Sequence, residues 1–247
     1  MDFAIIGWMI TSLSSNPSSV GLLIFLRYIP LSTSGIISGW LVDKFARLSI
    51  IRVIIILASI YYIFVSFYML AGNNEITFFY IFTFISGILS SLDLASRQSY
   101  LSNVVNKNKL KFALGVDIII INFCIFLGPN IAMYLYDIVE FYVIYIILSI
   151  FTLINLFFIR KNPKLSILKK YREQYKGFKK GIEFSIDNKL VLSTLLILAL
   201  ANCFAFSFES MAPYVGKTIL NSSPKEFSFL ISMQGLGALS GSILFLP

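Results

Sequence analysis

Few residues in this 247-residue chain are able to do chemistry: 20 Lys and Arg, 12 Asp and Glu, two cysteines and no histidine. Without histidine there is no His general base, no Ser–His triad and no His–metal site. Cys124 and Cys203 lie inside apolar runs without partner ligands, so they read as small helix-packing residues rather than a zinc site or disulfide framework. What remains is carboxylate–cation chemistry: ion pairs that form and break, and carboxylates that take up a cation or a proton. Three ionisable residues lie within apolar runs, and a charge in hydrocarbon is costly enough to be a functional candidate by position alone. Arg27 stands about nine residues into the second run, roughly 13 Å deep at 1.5 Å per residue. There it must face a central cavity or pair with an acid, and Asp2 is a candidate partner. Asp117 sits a turn or two inside the fifth run, placed either to reach the near surface or to face the bundle. Glu209 stands near the outer end of the seventh run, either binding a cation or proton or resting at the interface.

The elements that carry these residues are set by composition. Hydrophobic residues make up 57%, charged residues 13%, and the mean hydropathy is +0.84. A water-facing domain carries about 25% charged residues, so a soluble exterior is excluded. Apolar runs cover residues 1–13, 18–41, 49–71, 76–94, 112–135, 139–159 and 190–212, and an eighth starts near 227. A membrane-crossing helix needs about 20 residues, which runs two to seven meet and the first does not. The first run has no basic leader region or small-residue cleavage site, so it reads as a shortened first transmembrane helix rather than a signal peptide. The abrupt end after Gly235-Leu236-Gly237-Ala238-Leu239-Ser240-Gly241 reads the same way, as part of a longer membrane protein. Lipid is thus the expected surrounding partner.

Charge asymmetry orients the runs. Lys44, Arg47 and Arg52, then Arg97, Lys107, Lys109 and Lys111, then ten residues between Arg160 and Lys189 put seventeen of the 20 basic residues on one side. The alternate connections hold only Lys217 and Lys225 as cations. The positive-inside rule makes the basic side cytoplasmic. The basic residues are topogenic, which accounts for the net charge of +8 without nucleic acid. Residues 169–180 read equally as a basic interfacial helix or a solvated linker. Six runs, a basic central stretch and further runs give the layout of a two-half carrier. Gly35-x-x-x-Gly39 and Gly237-x-x-x-Gly241 form a weak internal echo of that duplication.

The second run closes on Gly39-Trp40-Leu41-Val42-Asp43-Lys44-Phe45-Ala46-Arg47. This resembles the signature between the second and third helices of the major facilitator superfamily. Gly39, Leu41, Asp43, Lys44 and Arg47 stand at motif positions, with Ala46 and Leu48 replacing a glycine and a second basic residue. The fourth run closes on Asp93-Leu94-Ala95-Ser96-Arg97-Gln98, similar to the enterobactin-exporter and macrolide-efflux branch. In the fifth run, Gly115, Cys124, Gly128, Pro129 and Ala132 follow the exporter-type motif of helix five in part. Pro129 removes a backbone donor and permits a bend, while the small residues leave a thin face for a neighbouring helix.

The resemblance implies an all-α membrane protein, a major facilitator-like bundle of twelve helices in the intact family. This chain corresponds to the end of helix one through most of helix eight. Residues 1–159 are the N-terminal six-helix half with a truncated first helix, 160–189 the basic cytoplasmic central loop, and 190–247 the start of the C-terminal half. The resemblance further implies that Asp43 and an Arg47–Asp93 pair, supported by Gly39, Lys44 and Arg97, latch the halves on the inner side. It implies a secondary active exporter of amphipathic small molecules, drug-like or siderophore, in a bacterial plasma membrane. Protons would be the coupling ion, and no cofactor, metal or enzymatic activity is expected. The arginine that the family often carries in helix four is absent from residues 80–87. An uptake permease and a non-transporting truncated remnant are the alternatives.

Overall fold

A computed structural model of the chain describes residues 1–14, 16–44, 47–159, 186–205 and 207–244, with the side chains of 31–44, 47, 107, 195, 198–199, 201–205 and 207–210 outside that description. Among the described residues the chain is helical and holds no strand. The helices are α1 (Asp2–Leu13), α2 (Pro17–Lys44), α3 (Arg47–Leu70), α4 (Ile76–Val104), α5 (Lys107–Tyr136), α6 (Phe141–Phe158), α7 (Lys189–Ala205), α8 (Ser207–Tyr214) and α9 (Pro224–Leu244). A π-helical turn, Val215–Ile219, follows α8.

Local chemistry sets several boundaries. Asn16 Oδ1 accepts the Ser18 N–H at 3.0 Å, and Pro17 opens α2, where its missing N–H is not needed. Gly72 adopts φ 75° just past α3, the left-handed conformation that ends helices without a Cβ penalty. Ser223-Pro224-Lys225-Glu226 forms a capping box at the head of α9. Glu226 Oε2 accepts the Ser223 N–H at 2.8 Å, and Ser223 Oγ accepts the Glu226 N–H at 3.4 Å. Arg52 Nη2 donates to the Ile159 carbonyl at 2.9 Å, placing a cation at the negative end of α6.

Among the described residues five helices, at Leu48–Leu70, Ile76–Val104, Asn108–Tyr136, Phe141–Phe158 and Pro224–Leu244, are long and apolar enough to cross a bilayer. Two departures from the apolar runs matter. α4 continues through Asp93 and Arg97 to Val104, about ten residues past its apolar run, because backbone hydrogen bonding does not stop where hydrophobicity does. The run at 190–212 is helical in α7 and α8, and α8 with the π-helical turn carries the chain on to Ile219, past the end of the run. The interfacial-helix reading of 169–180 falls outside the described residues.

α1 is the central element. Ala4, Ile5, Ile6, Trp8 and Ile10 are all buried, and a helix apolar on every side belongs in the middle of a bundle. It touches α2, α4, α5 and α8. The exterior is apolar too: Phe64, Phe67, Phe151 and Phe157 are exposed, as expected where the solvent is hydrocarbon. α2 packs on α4, α3 on α6 and α5 on α9. Two glycines allow the closest approaches. A Cβ on Gly87 of α4 would collide with the Arg27 carbonyl oxygen of α2, and one on Gly235 of α9 would sit 2.5 Å from the Phe126 backbone nitrogen of α5. Gly237 and Gly241 meet nothing within 4 Å. The repeated Gly-x-x-x-Gly spacing in α9 therefore does not mark the packed face; Gly235 does.

Candidate functional site

The first residue of α1 is an acid inside an apolar bundle. Asp2 is 7% exposed, and its carboxylate is held by three helices. Tyr61 of α3 and Tyr145 of α6 donate their hydroxyls to Oδ1 at 3.3 and 2.8 Å, and Ser86 of α4 donates to Oδ2 at 2.6 Å. Arg27 of α2 donates through Nη1 to Ser86 Oγ at 3.2 Å and stands 3.8 Å from Asp2 Oδ2. Its guanidinium also lies 4.9 Å over the Phe3 ring. Arg27 and Ser86 each stand ten residues from the helix ends at Pro17 and Ile76. That is about 15 Å along the axis, half of a roughly 30 Å hydrocarbon core. The cluster therefore sits at mid-depth, and Asp2 is the acid that faces Arg27.

The partners decide what this carboxylate can do. Burying an ionised carboxylate costs several kcal/mol unless charge and hydrogen bonds compensate. Here three hydroxyls and one cation do so. A hydroxyl can donate to a carboxylate or, after rotating, accept from a carboxylic acid. Arginine has no acceptor and favours only the ionised form. Ser86 stands between Arg27 and Asp2, so the guanidinium contributes through space rather than by a bidentate clamp. At about 4 Å and an effective dielectric near 20, that attraction is about 4 kcal/mol.

A second charged group lies towards the end of the bundle that carries the basic α2–α3 and α4–α5 connections. Arg97 Nε of α4 lies 3.6 Å from Asp117 Oδ1 of α5, with the Asp117 side chain 11% exposed. Asp117 thus faces a neighbouring helix rather than reaching out alone. Asp93 stands one turn before Arg97 on α4 and lines a cavity of about 240 Å³ between α3, α4 and α6.

At the opposite end the early helices meet α9 and the π-helical turn. Lys225 Nζ pairs with Asp137 Oδ2 at 2.6 Å. Lys217 Nζ donates to Ser12 Oγ and lies 4.7 Å over the Trp8 ring. Gly216 leaves room for Phe227, which in turn meets Trp8 at a ring-centroid separation of 5.2 Å. Between the two ends, Asn130 of α5 donates to Ser232 Oγ at 2.6 Å and accepts from Ser228 at 3.2 Å.

Of the residues expected from the sequence, Gly39, Asp43 and Lys44 fall in α2 and Arg47 opens α3, but their side chains lie outside the described residues. The same holds for Glu209 in α8. In the helix-five motif, Gly128, Pro129 and Ala132 are buried, Gly115 is half-buried and Cys124 is exposed. Gly128 is turned to α1, where an added Cβ would come within 3.3 Å of the Met1 nitrogen. Helix α5 runs through Pro129 without a break. Sequence reasoning missed Tyr61, Ser86 and Tyr145. Nothing in their spacing separates them from the other tyrosines and serines of the spans; only convergence on Asp2 does. Among the described residues no group of three or more Cys, Asp or Glu is gathered to hold a metal ion.

The family model described as Major Facilitator Superfamily matches residues 2–247. No curated protein and no solved structure matches the chain.

Proposed function

The chain belongs to the major facilitator superfamily, and on that premise we propose that it exports amphipathic small molecules in exchange for protons, with Asp2 as the proton-carrying group. Members of this family are multi-pass secondary transporters rather than enzymes, and the apolar helices here fit a bilayer. The single observation that carries the proton-coupled reading is the mid-depth Asp2 carboxylate, bonded to reversible hydroxyls and facing Arg27 across Ser86. Protonation releases Arg27; deprotonation recaptures it. Alternating access needs such a bistable element. The export direction is supported by the part-matched helix-five motif, Gly115, Cys124, Gly128, Pro129 and Ala132. Drug-like compounds, macrolides or siderophores are the substrate class.

In this reading the basic connections face the cytoplasm of a bacterial plasma membrane. Residues 1–159 form the first half, 160–189 the connecting loop and 190–247 the start of the second half. Asp43, with Gly39, Lys44, Arg47, Asp93 and Arg97, latches the inner side, and the Arg97–Asp117 pair braces α4 against α5 beside it.

The test is proton movement in proteoliposomes loaded with a pH-sensitive dye, on addition of a lipophilic cationic substrate. Asp2→Asn is expected to abolish substrate-driven proton flux while insertion and folding persist. Undiminished flux in that variant would remove Asp2 from the mechanism. Asp43→Asn is expected to abolish export and leave insertion intact; unchanged export would remove the latch.

A further inference from the structure

Three elements meet at the end of the bundle opposite the basic connections, and each gives one side chain to a single cluster: Trp8 of α1, Lys217 of the π-helical turn and Phe227 of α9. Trp8 is 6% exposed. Its ring meets the Phe227 ring at a tilt of 38°, and the Lys217 ammonium stands over it at 4.7 Å. Ser12, one turn on from Trp8, accepts a hydrogen bond from that ammonium. The Ser12 hydroxyl gives its own hydrogen to the Trp8 carbonyl at 2.8 Å, so what it presents to the cation is its lone pairs.

The π-helical turn positions two of the three side chains. The Leu220 N–H reaches back to the Val215 carbonyl and the Ser222 N–H to the Gly216 carbonyl, both at 2.9 Å, a widened turn of the kind that recurs at functional sites. Gly216 in that turn admits Phe227, because a Cβ there would lie 2.9 Å from Phe227 Cδ2. Lys217 follows directly and is half-buried. The result is an aromatic face beside an acceptor hydroxyl, with a cation seated on both. Tryptophan is the ring that attracts cations best. A primary ammonium is a poor occupant for such a place, since it is a compact, strongly hydrated charge, and burial pushes the Lys217 ammonium below its usual pKa. A quaternary ammonium has no N–H to strip of water, and aromatic rings are its usual receptors.

We propose that Trp8, Phe227 and Ser12 form a binding subsite for quaternary organic cations at the end of the bundle opposite the basic loops, and that Lys217 is its built-in competitor. The inference goes beyond the export reading and needs neither Asp2 nor a direction of transport. The two cations exclude each other, because the ring face under Lys217 is the face the ligand takes. Binding therefore parts Lys217 from Trp8 and Ser12 and unlinks the π-helical turn from α1, while the Lys225–Asp137 pair at the same end is untouched. A ligand cation thus loosens one of the contacts that hold the early helices to the later ones.

The experiment uses the full chain in lipid nanodiscs, with Trp40→Phe leaving Trp8 as the single tryptophan. Its fluorescence is followed while benzyltrimethylammonium is added. A saturable change is expected, and none with neopentylbenzene, the neutral molecule of the same shape. Lys217→Ala is expected to tighten binding severalfold, because the competitor is gone, and Lys217→Arg to leave it close to the parent. Should Lys217→Ala fail to fold, Lys217→Met, which keeps an apolar stem, replaces it. Phe227→Leu is expected to weaken binding severalfold. Lys225→Ala removes a cation from the same end but not from Trp8, and the affinity should stay as it was. Unchanged or weaker binding in Lys217→Ala overturns the competition, as does equal tightening in Lys225→Ala, which would make the effect one of general surface charge. A response to the neutral molecule, or no saturable change in any variant, overturns the subsite. Each of these reads binding, so proton flux and export in Asp2→Asn bear on the earlier reading alone.

Discussion

Two carboxylate–cation pairs join helices distant in sequence, and their geometry and environment rank them in opposite orders. Lys225 and Asp137 meet at 2.6 Å with both side chains well exposed, 59% and 38%. Arg27 and Asp2 stand 3.8 Å apart with exposures of 23% and 9%. By distance alone the first is the stronger contact. By environment it is the weaker, because solvent screens an exposed pair and each long side chain loses rotamer freedom to make it. The buried pair cannot be solvated in parts, so removing one partner strands the other. One pair is suited to parting and re-forming at the edge of the bundle. The other, with the hydroxyls around it, ties five helices together.

The largest effect is expected from the buried pair. Arg27→Ala leaves Asp2 at mid-depth without its cation, and the expected loss is about 3–5 kcal/mol of stability, read as a lower unfolding temperature in detergent. Asp2→Asn combined with Arg27→Ala should recover much of that loss. If the double variant is no more stable than Arg27→Ala alone, the two side chains are not coupled and the contrast collapses. An intermediate effect is expected at the seam between α5 and α9. Gly235→Val drives a branched side chain into the Phe126 backbone, at a cost of about 1–3 kcal/mol. Disulfide trapping between cysteines at Asn122 and Ala238, whose side chain and carbonyl are hydrogen-bonded at 3.2 Å, should fall with it. Gly237→Val, which meets open space, serves as the control and should leave both readouts unchanged. The smallest effect belongs to the exposed pair. Lys225→Ala should lower the unfolding temperature slightly at low ionic strength and not at all above about 0.5 M salt, where screening is complete within a few ångströms. A salt-independent loss would mean that Lys225 acts through its apolar stem over the Tyr134 ring, 5.7 Å from its ammonium.

Much of the fold was legible in the sequence because hydrocarbon imposes a simple rule. Backbone polar groups must be satisfied within each segment, so long apolar runs become helices. The runs at 49–71 and 139–159 became α3 and α6 nearly residue for residue. The helical turns past residue 212, through Pro213 and the π-helical turn Val215–Ile219, were not legible, because hydropathy does not register where backbone hydrogen bonding ends. At the site, Arg27 was legible as an anomaly, since a guanidinium at mid-depth must have a partner. Its acid was legible only as a candidate. Asp117 reads from sequence either as reaching the near surface or as facing the bundle, and its pairing with Arg97 depends on how α4 and α5 are turned towards each other.

The amino-acid order alone decided that this chain lives in lipid, which stretches cross it, which ends carry the basic charge and which charges stand where charge is expensive. Those are properties of single segments, fixed by length and by the cost of moving each side chain out of water. Only the tertiary structure decided that Tyr61, Ser86 and Tyr145 converge on Asp2, and that Gly87 and Gly235 are the glycines whose smallness is used. Those are relations between segments, and a rotation of one helix by a single residue, about 100° around its axis, would abolish every one of them without altering the hydropathy of any run.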